Sequence, residues 1–212
     1  MDERLAVSGR DGVAERLAPA PRYEFRTFGS DLSGTFARFR SLGEECGSDE
    51  RDDVYFIERR RVEAGLKLRG DLLDLKLLTR TNGELELWVA VDAAELPMSG
   101  QEISQRFLAP AGMARFVEAR CIYDQAALLT AAPRPDLRTG AVRKRRRRYA
   151  FDKALGECTE LRVSGQGPLQ TCAVEGTDAS RLAALIGALG LGSAGNVSYP
   201  RRLHEAAFGE AV

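Results

Sequence analysis

Polar and apolar positions alternate over Arg22-Tyr23-Glu24-Phe25-Arg26-Thr27-Phe28, the pattern of a strand. Arg22, Glu24, Arg26 and Phe28 fall on one face, and Tyr23, Phe25 and Thr27 on the other, so the two faces meet different surroundings. The spacing then changes. Leu32, Phe36, Phe39 and Leu42 form a helical stripe that Ser30 or Asp31 can open and Gly43 can close. Cys46 to Asp53 is polar throughout and reads as a loop. Short strands follow at Val54 to Ile57, Gly65 to Arg69, Leu72 to Thr79 and Glu84 to Val91. The last two are joined by Thr81-Asn82-Gly83, whose Asn-Gly pair favours a tight hairpin. Residues 99 to 132 predict irregular helix: Ser99 and Glu102 form a capping box, Ile103 and Phe107 an apolar face, and Asp124 caps a short helix carrying Ala127 and Leu128. After a turn over Pro133 to Gly140 come strands at Ala141 to Phe151, Glu157 to Ser164 and Leu169 to Glu175. Asp178 caps a last helix with the stripe Leu182, Leu185, Ile186 and Leu189, stopped by Gly190. The tail Asn196 to Arg202 closes the pattern, with Arg201 and Arg202 read as solvated. The fold class is α+β with a largely antiparallel sheet. Residues 1–21 lack periodicity and predict a disordered arm, which leaves 22–212 as a single domain.

Charge changes this picture. The 212 residues carry 31 Lys plus Arg and 31 Asp plus Glu, a formal net charge of zero, which argues against a generic polyanion binder. Locally the balance fails, because Arg143 to Arg148 is six cations in a row. As a strand, that run puts Lys144, Arg146 and Arg148 on one face and Arg143, Arg145 and Arg147 on the other. Charges also share faces elsewhere: Lys67 with Arg69, Asp74 with Lys76, and Glu84 with Glu86 and Trp88. Solvent-facing ion pairs would account for any one strand. The sharper reading is a closed barrel with a polar interior, whose cations need carboxylates and a bound polyanion to balance them.

Other classes drop out. No apolar run reaches the roughly 18 residues of a membrane span. Met1 to Ala20 has no apolar segment of the kind a secretory signal needs. Cys46, Cys121, Cys158 and Cys172 form no C-x-x-C pair, so zinc is not expected and a reducing, cytoplasmic setting is. The one histidine, His204, reads as an exposed tail residue.

The order of elements resembles the CYTH superfamily of triphosphate tunnel proteins. Glu24 stands where the family opens with E-x-E-x-K. Leu66-Lys67-Leu68-Arg69 and Leu75-Lys76-Leu77 resemble its basic strands, and Lys144, Arg146 and Tyr149 match a K-x-R-x-x-Y pattern. Glu160 and Glu175 fall where late acidic residues are expected, and Asn196-Val197-Ser198-Tyr199 is similar to a Ser-Tyr element near the family's C-terminus. The resemblance implies an eight-stranded antiparallel β-barrel forming a tunnel, with flanking helices. It implies phosphate binding by Arg26, Lys67, Arg69, Lys76, Lys144, Arg146 and Arg148, and Mg²⁺ or Mn²⁺ held by Glu24, Glu160 and Glu175. The ligand would be a triphosphate, short polyphosphate or nucleotide.

The departures bear on the chemistry. The opening motif reads Glu24-Phe25-Arg26-Thr27-Phe28, so Arg26 replaces the second glutamate and Phe28 the lysine. An arginine cannot ligate a cation, so anion binding survives better than hydrolysis. The first strand and the Leu85-to-Trp88 segment resemble a bacterial side-branch that lends no activity. Three readings follow: a metal-dependent triphosphatase, a non-catalytic phosphate-ligand module, or an interaction protein whose outer basic strand holds RNA or an acidic partner.

Overall fold

The computed structural model describes residues 20–163 and 166–209. The arm expected over 1–21 lies, except for its last two residues, outside the described residues. Eight antiparallel strands close into a barrel: β1 (Arg22–Gly29), β2 (Glu44–Glu58), β3 (Ala64–Arg69), β4 (Leu72–Asn82), β5 (Leu85–Glu95), β8 (Leu137–Phe151), β9 (Ala154–Val163) and β10 (Leu169–Gly176). Their order around the wall is β1-β10-β9-β8-β2-β3-β4-β5. Closure leaves no barrel edge strand unpaired. A small two-stranded sheet, β6 (Met98–Ser99) and β7 (Ile122–Tyr123), stands beside it. No described helix is long and apolar enough to cross a membrane.

Apolar side chains cover the barrel from outside. Phe25, Tyr149, Cys158, Cys172 and Val174 face α1 (Ser33–Leu42) and α4 (Ala179–Ala188), packing with Phe39, Leu182 and Ile186. Leu66, Leu68, Leu73 and Leu75 pack with Ile103, Phe107, Leu108 and Leu128. Those last four come from α2 (Gly100–Ile103), the π-helical turn that continues it, and α3 (Gln125–Ala131). The Ser99–Glu102 capping box forms, with Glu102 N–H to Ser99 Oγ at 3.2 Å and Ser99 N–H to Glu102 Oε2 at 3.0 Å. Asp124 and Asp178 cap α3 and α4. On α1, by contrast, Leu32 occupies the cap position with no side-chain bond, although Asp31 accepts from Ser33 N–H at 2.9 Å.

Close approach between α1 and the barrel requires a glycine in β9. A Cβ at Gly156 would stand 2.5 Å from Phe151 Cε2 and 2.7 Å from Phe39 Cε1. Gly156→Ala is therefore expected to destabilise by about 1–3 kcal/mol through overpacking, read as a lower urea midpoint at unchanged slope.

The structure corrects the pattern in three places. The expected loop Cys46 to Asp53 is the first half of β2, paired along its length with β8. The expected turn over Pro133 to Gly140 already contains the start of β8 at Leu137. The expected tail, Asn196 to Arg202, instead enters α5 (Tyr199–Phe208), which seals one end of the barrel. There Tyr199 and Leu203 pack on Tyr55, Ile57, Val142, Leu161 and Val163, inward residues of the wall. His204 is accordingly 2% exposed, with Nε2 2.6 Å from the Arg59 carbonyl, not a surface residue. Arg201 is likewise drawn inward, 3.3 Å from Glu86.

Candidate functional site

Register decides what the barrel encloses. β2 and β8 pair so that Asp49 lies opposite Arg146, Arg51 opposite Lys144, and Glu50 opposite Arg145. Beyond the irregularity between Glu45 and Gly47, the odd positions of β2 and the even positions of β8 point inward, and both strands carry charge on both faces. Outside, Glu50 meets Arg143 at 3.9 Å and Arg145 at 3.6 Å, and Glu160 meets Arg145 at 3.6 Å. Half of the six-cation run thus faces out and half lines the interior.

The interior opens as a cavity of about 350 Å³, bounded below by Ser198, Tyr199 and Pro200 at the start of α5. Its lining includes eight cations against four carboxylates. Arg26, Lys67, Arg69, Lys76, Lys144, Arg146 and Arg148, all expected as phosphate ligands, border this one cavity, as do Glu24 and Glu175. Glu160 does not. It sits on the outer face of β9 with Arg145, because Glu157, three residues earlier, holds the inward parity.

Most interior cations already have partners. Lys144 Nζ donates to Asp53 Oδ2 at 2.7 Å and Tyr55 Oη at 2.9 Å, and lies 3.8 Å from the centre of the Tyr199 ring. Burial pulls the Lys144 ammonium down to about 7, against the attraction of Asp53. Asp53 has no exposed surface and also accepts from Arg69 Nε at 2.9 Å. Its burial works to raise its pKa, but Lys144, Arg51 and Arg69 outweigh that and hold the carboxyl near 2. Arg146 forks onto Asp49 at 3.0 and 2.6 Å and reaches Glu157 at 3.1 Å. Lys67 pairs with Asp74 at 2.6 Å, which leaves Lys76 on the same wall without that partner. Arg22 pairs with Glu175 at 2.8 Å.

Two cations stand apart. Lys76 and Arg148 line the cavity and form no salt bridge among the described residues. Behind them, Arg51 Nε, Ser198 Oγ and Tyr199 Oη are buried without a hydrogen-bond partner. Buried polar atoms are normally satisfied, so these donors are groups a ligand could engage.

A divalent cation does not fit the residues present. Arg26 Nε donates to Glu24 Oε1 at 2.9 Å, and its Nη1 donates to Glu157 Oε1 at 3.1 Å. The guanidinium therefore sits between two carboxylates of the cavity wall. Glu175 is engaged by Arg22 and Glu160 faces away. No three His, Cys, Asp or Glu side chains group as metal ligands among the described residues. Of the expected set, Glu24 and Glu175 lie opposite each other on β1 and β10 and border the cavity, whereas Glu160 lies on the outer face.

Glu157, Asp53, Asp49 and Arg51 were missed by the sequence reading. Asp49, Arg51, Asp53 and Tyr55 share one strand parity, but both faces of that stretch are polar, so no apolar rhythm marks it as a strand. Glu157 shares parity with Thr159, Leu161 and Val163, and that face was the available signal.

No family model and no curated protein matches the sequence. Among solved structures the chain resembles HpAC1 of Hippeastrum, described as having a dominant triphosphatase activity. The TM-score is 0.55 over 90% of this chain and 97% of that one, at 15% identity. The PH1012 protein of Pyrococcus horikoshii OT3 gives 0.48 over 80% and 90%, at 17% identity. With the closed eight-stranded wall, the first of these similarities shows the fold: the chain is an eight-stranded antiparallel barrel with flanking helices, built like that of HpAC1.

Proposed function

We propose that the cavity binds a linear chain of phosphates: a triphosphate, a short polyphosphate or the phosphates of a nucleotide. One observation carries this reading. Lys76 and Arg148 face the cavity without carboxylate partners among the described residues, beside Ser198 Oγ and Tyr199 Oη, which have no hydrogen-bond partner, and Arg51 Nε, which has only the 3.6 Å ion pair to Asp53. Phosphate oxygens accept from all of these, and charge-assisted bonds are the strong ones. The start of α5 adds the positive end of a helix dipole on the same side. Arg26, Lys67, Arg69, Lys144 and Arg146 supply the surrounding positive wall.

Binding without turnover is the first form of this proposal, since Glu24 and Glu157 are held by Arg26. Hydrolysis is the second, supported by the fold shared with HpAC1. Release of orthophosphate from tripolyphosphate with Mg²⁺ or Mn²⁺, abolished by EDTA, would decide for hydrolysis. The outer basic face supports an RNA or acidic-protein partner less well, because Glu50 and Glu160 answer Arg143 and Arg145. A cytoplasmic setting remains part of the proposal.

Sodium tripolyphosphate is expected to raise the melting temperature, as any ligand of the native state must. Arg148→Ala removes a cation at the cavity mouth that the fold does not use. It is expected to weaken binding about tenfold while leaving the melting temperature of the free protein unchanged. An unchanged tripolyphosphate shift in Arg148→Ala would place the ligand elsewhere.

A further inference from the structure

We infer that Arg26 is the resident cation of this cavity, bridging Glu24 and Glu157 as a divalent ion would, so that phosphate binds here without metal. The inference rests on the phosphate-binding reading above and adds its metal independence.

The geometry is that of a bridging ion. One edge of the guanidinium meets Glu24 at 2.9 Å, and Nη1 meets Glu157 at 3.1 Å and Thr171 Oγ1 at 3.5 Å. The face of the group lies 4.5 Å from the centre of the Tyr199 ring. Arg26 is 6% exposed, so packing fixes its position. Glu24 and Glu157 raise its pKa well above the ordinary value even though burial opposes them, so its charge is permanent.

A metal entering between the same carboxylates would have to evict or face this charge. Evicting it leaves a buried guanidinium unpaired, the costly way to break a buried ion pair. Facing it sets a dication against a monocation at short range. Mg²⁺ also demands a near-octahedral oxygen shell, and the oxygens of Glu24 and Glu157 turned toward Arg26 already accept its N–H groups.

Arg26 keeps a donor for the ligand. Its Nη2 makes no hydrogen bond among the described residues, and the residue borders the cavity. A planar fork can hold carboxylates on one side and offer an N–H to phosphate on another. The guanidinium so performs one task of a bound metal, which is to join the protein's carboxylates to an anionic ligand.

The test is calorimetric titration of the full chain with sodium tripolyphosphate, first in EDTA and then in excess Mg²⁺. The expected result is binding in EDTA that is as tight as with Mg²⁺ or tighter, because free Mg²⁺ competes for the polyphosphate. Binding seen only with Mg²⁺ overturns the inference and leaves the phosphate-binding reading standing. No binding in either condition removes both. Mn²⁺ alone, followed by electron paramagnetic resonance, gives a second readout without tripolyphosphate. The wild-type chain is expected to hold no stoichiometric Mn²⁺, and one bound ion would overturn the inference. Arg26→Glu supplies a third carboxylate and is expected to gain an Mn²⁺ site. It should also lose tripolyphosphate binding in EDTA by on the order of 100-fold. If that variant does not fold, Arg26→Lys keeps the charge and loses the fork. It should weaken binding in EDTA by roughly tenfold without gaining Mn²⁺, and unchanged affinity would count against the fork.

Discussion

Asp53→Ala is expected to cost the fold about 3–5 kcal/mol, the usual penalty for removing one partner of a buried ion pair. Asp53 has no exposed surface and compensates three cations: Lys144 at 2.7 Å, Arg69 at 2.9 Å and Arg51 at 3.6 Å. Lys144, itself 2% exposed, loses its one salt bridge among the described residues when the side chain is truncated. Chemical denaturation at pH 7 checks this, with the double variant Asp53→Ala/Lys144→Met as control. The double variant should recover part of the loss, because it removes the charge left stranded. A single variant within 1 kcal/mol of wild type would mean that water reaches this pair. Acid has the matching effect. The folded carboxyl titrates near 2 and an ordinary one at 3.8, so its contribution is present above 3.8 and is lost as pH falls through 2.

Raising the pH from 7 to 9 is expected to weaken tripolyphosphate binding through Lys144 by up to about 100-fold. In the free protein this lysine titrates near 7 because burial penalises its charge. A bound polyanion favours the ammonium, so binding in this window takes up a proton. Each pH unit between the free and bound values then costs about tenfold. Calorimetry across the range in wild type and Lys144→Met isolates the effect from the ligand's own ionisation. Parallel curves for the two proteins would exclude Lys144 from the site. The same residue acts on folding with a defined sign. Its folded value lies below the ordinary 10.5, so the native state gains stability as pH rises from about 7 toward 10.5.

Where one face of an element was apolar, it could be read from the chain directly. Phe25 and Val174 under the helices, the Leu66-to-Leu75 hairpin and the Asp124 and Asp178 caps all follow from local rules. Strand alternation sorted Lys67 with Arg69, and Lys144 with Arg146 and Arg148, onto shared faces, but which face of the 143–148 strand points inward was not legible from alternation and only the barrel settles it. Elements were lost where this contrast failed. The first half of β2 carries charge on both faces, and α5 begins beside a Ser-Tyr-Pro segment that reads as a chain end.

The sequence by itself determined the order of most strands and helices, their apolar outer faces, and the sorting of cations onto shared strand faces. All of these depend on side-chain period, which is a local property. Only the tertiary structure decided how those cations are neutralised. The β2–β8 register brings Asp49 to Arg146 and Asp53 near Lys144, and the β1–β10–β9 alignment sets Arg26 between Glu24 and Glu157. These partners are up to 131 residues apart in the chain, beyond the reach of any local pattern. A one-residue slip of register would turn each of them to the opposite face. The net charge of zero is thus a sum the sequence reports, whereas its separation into paired and unpaired cations belongs to the closed barrel.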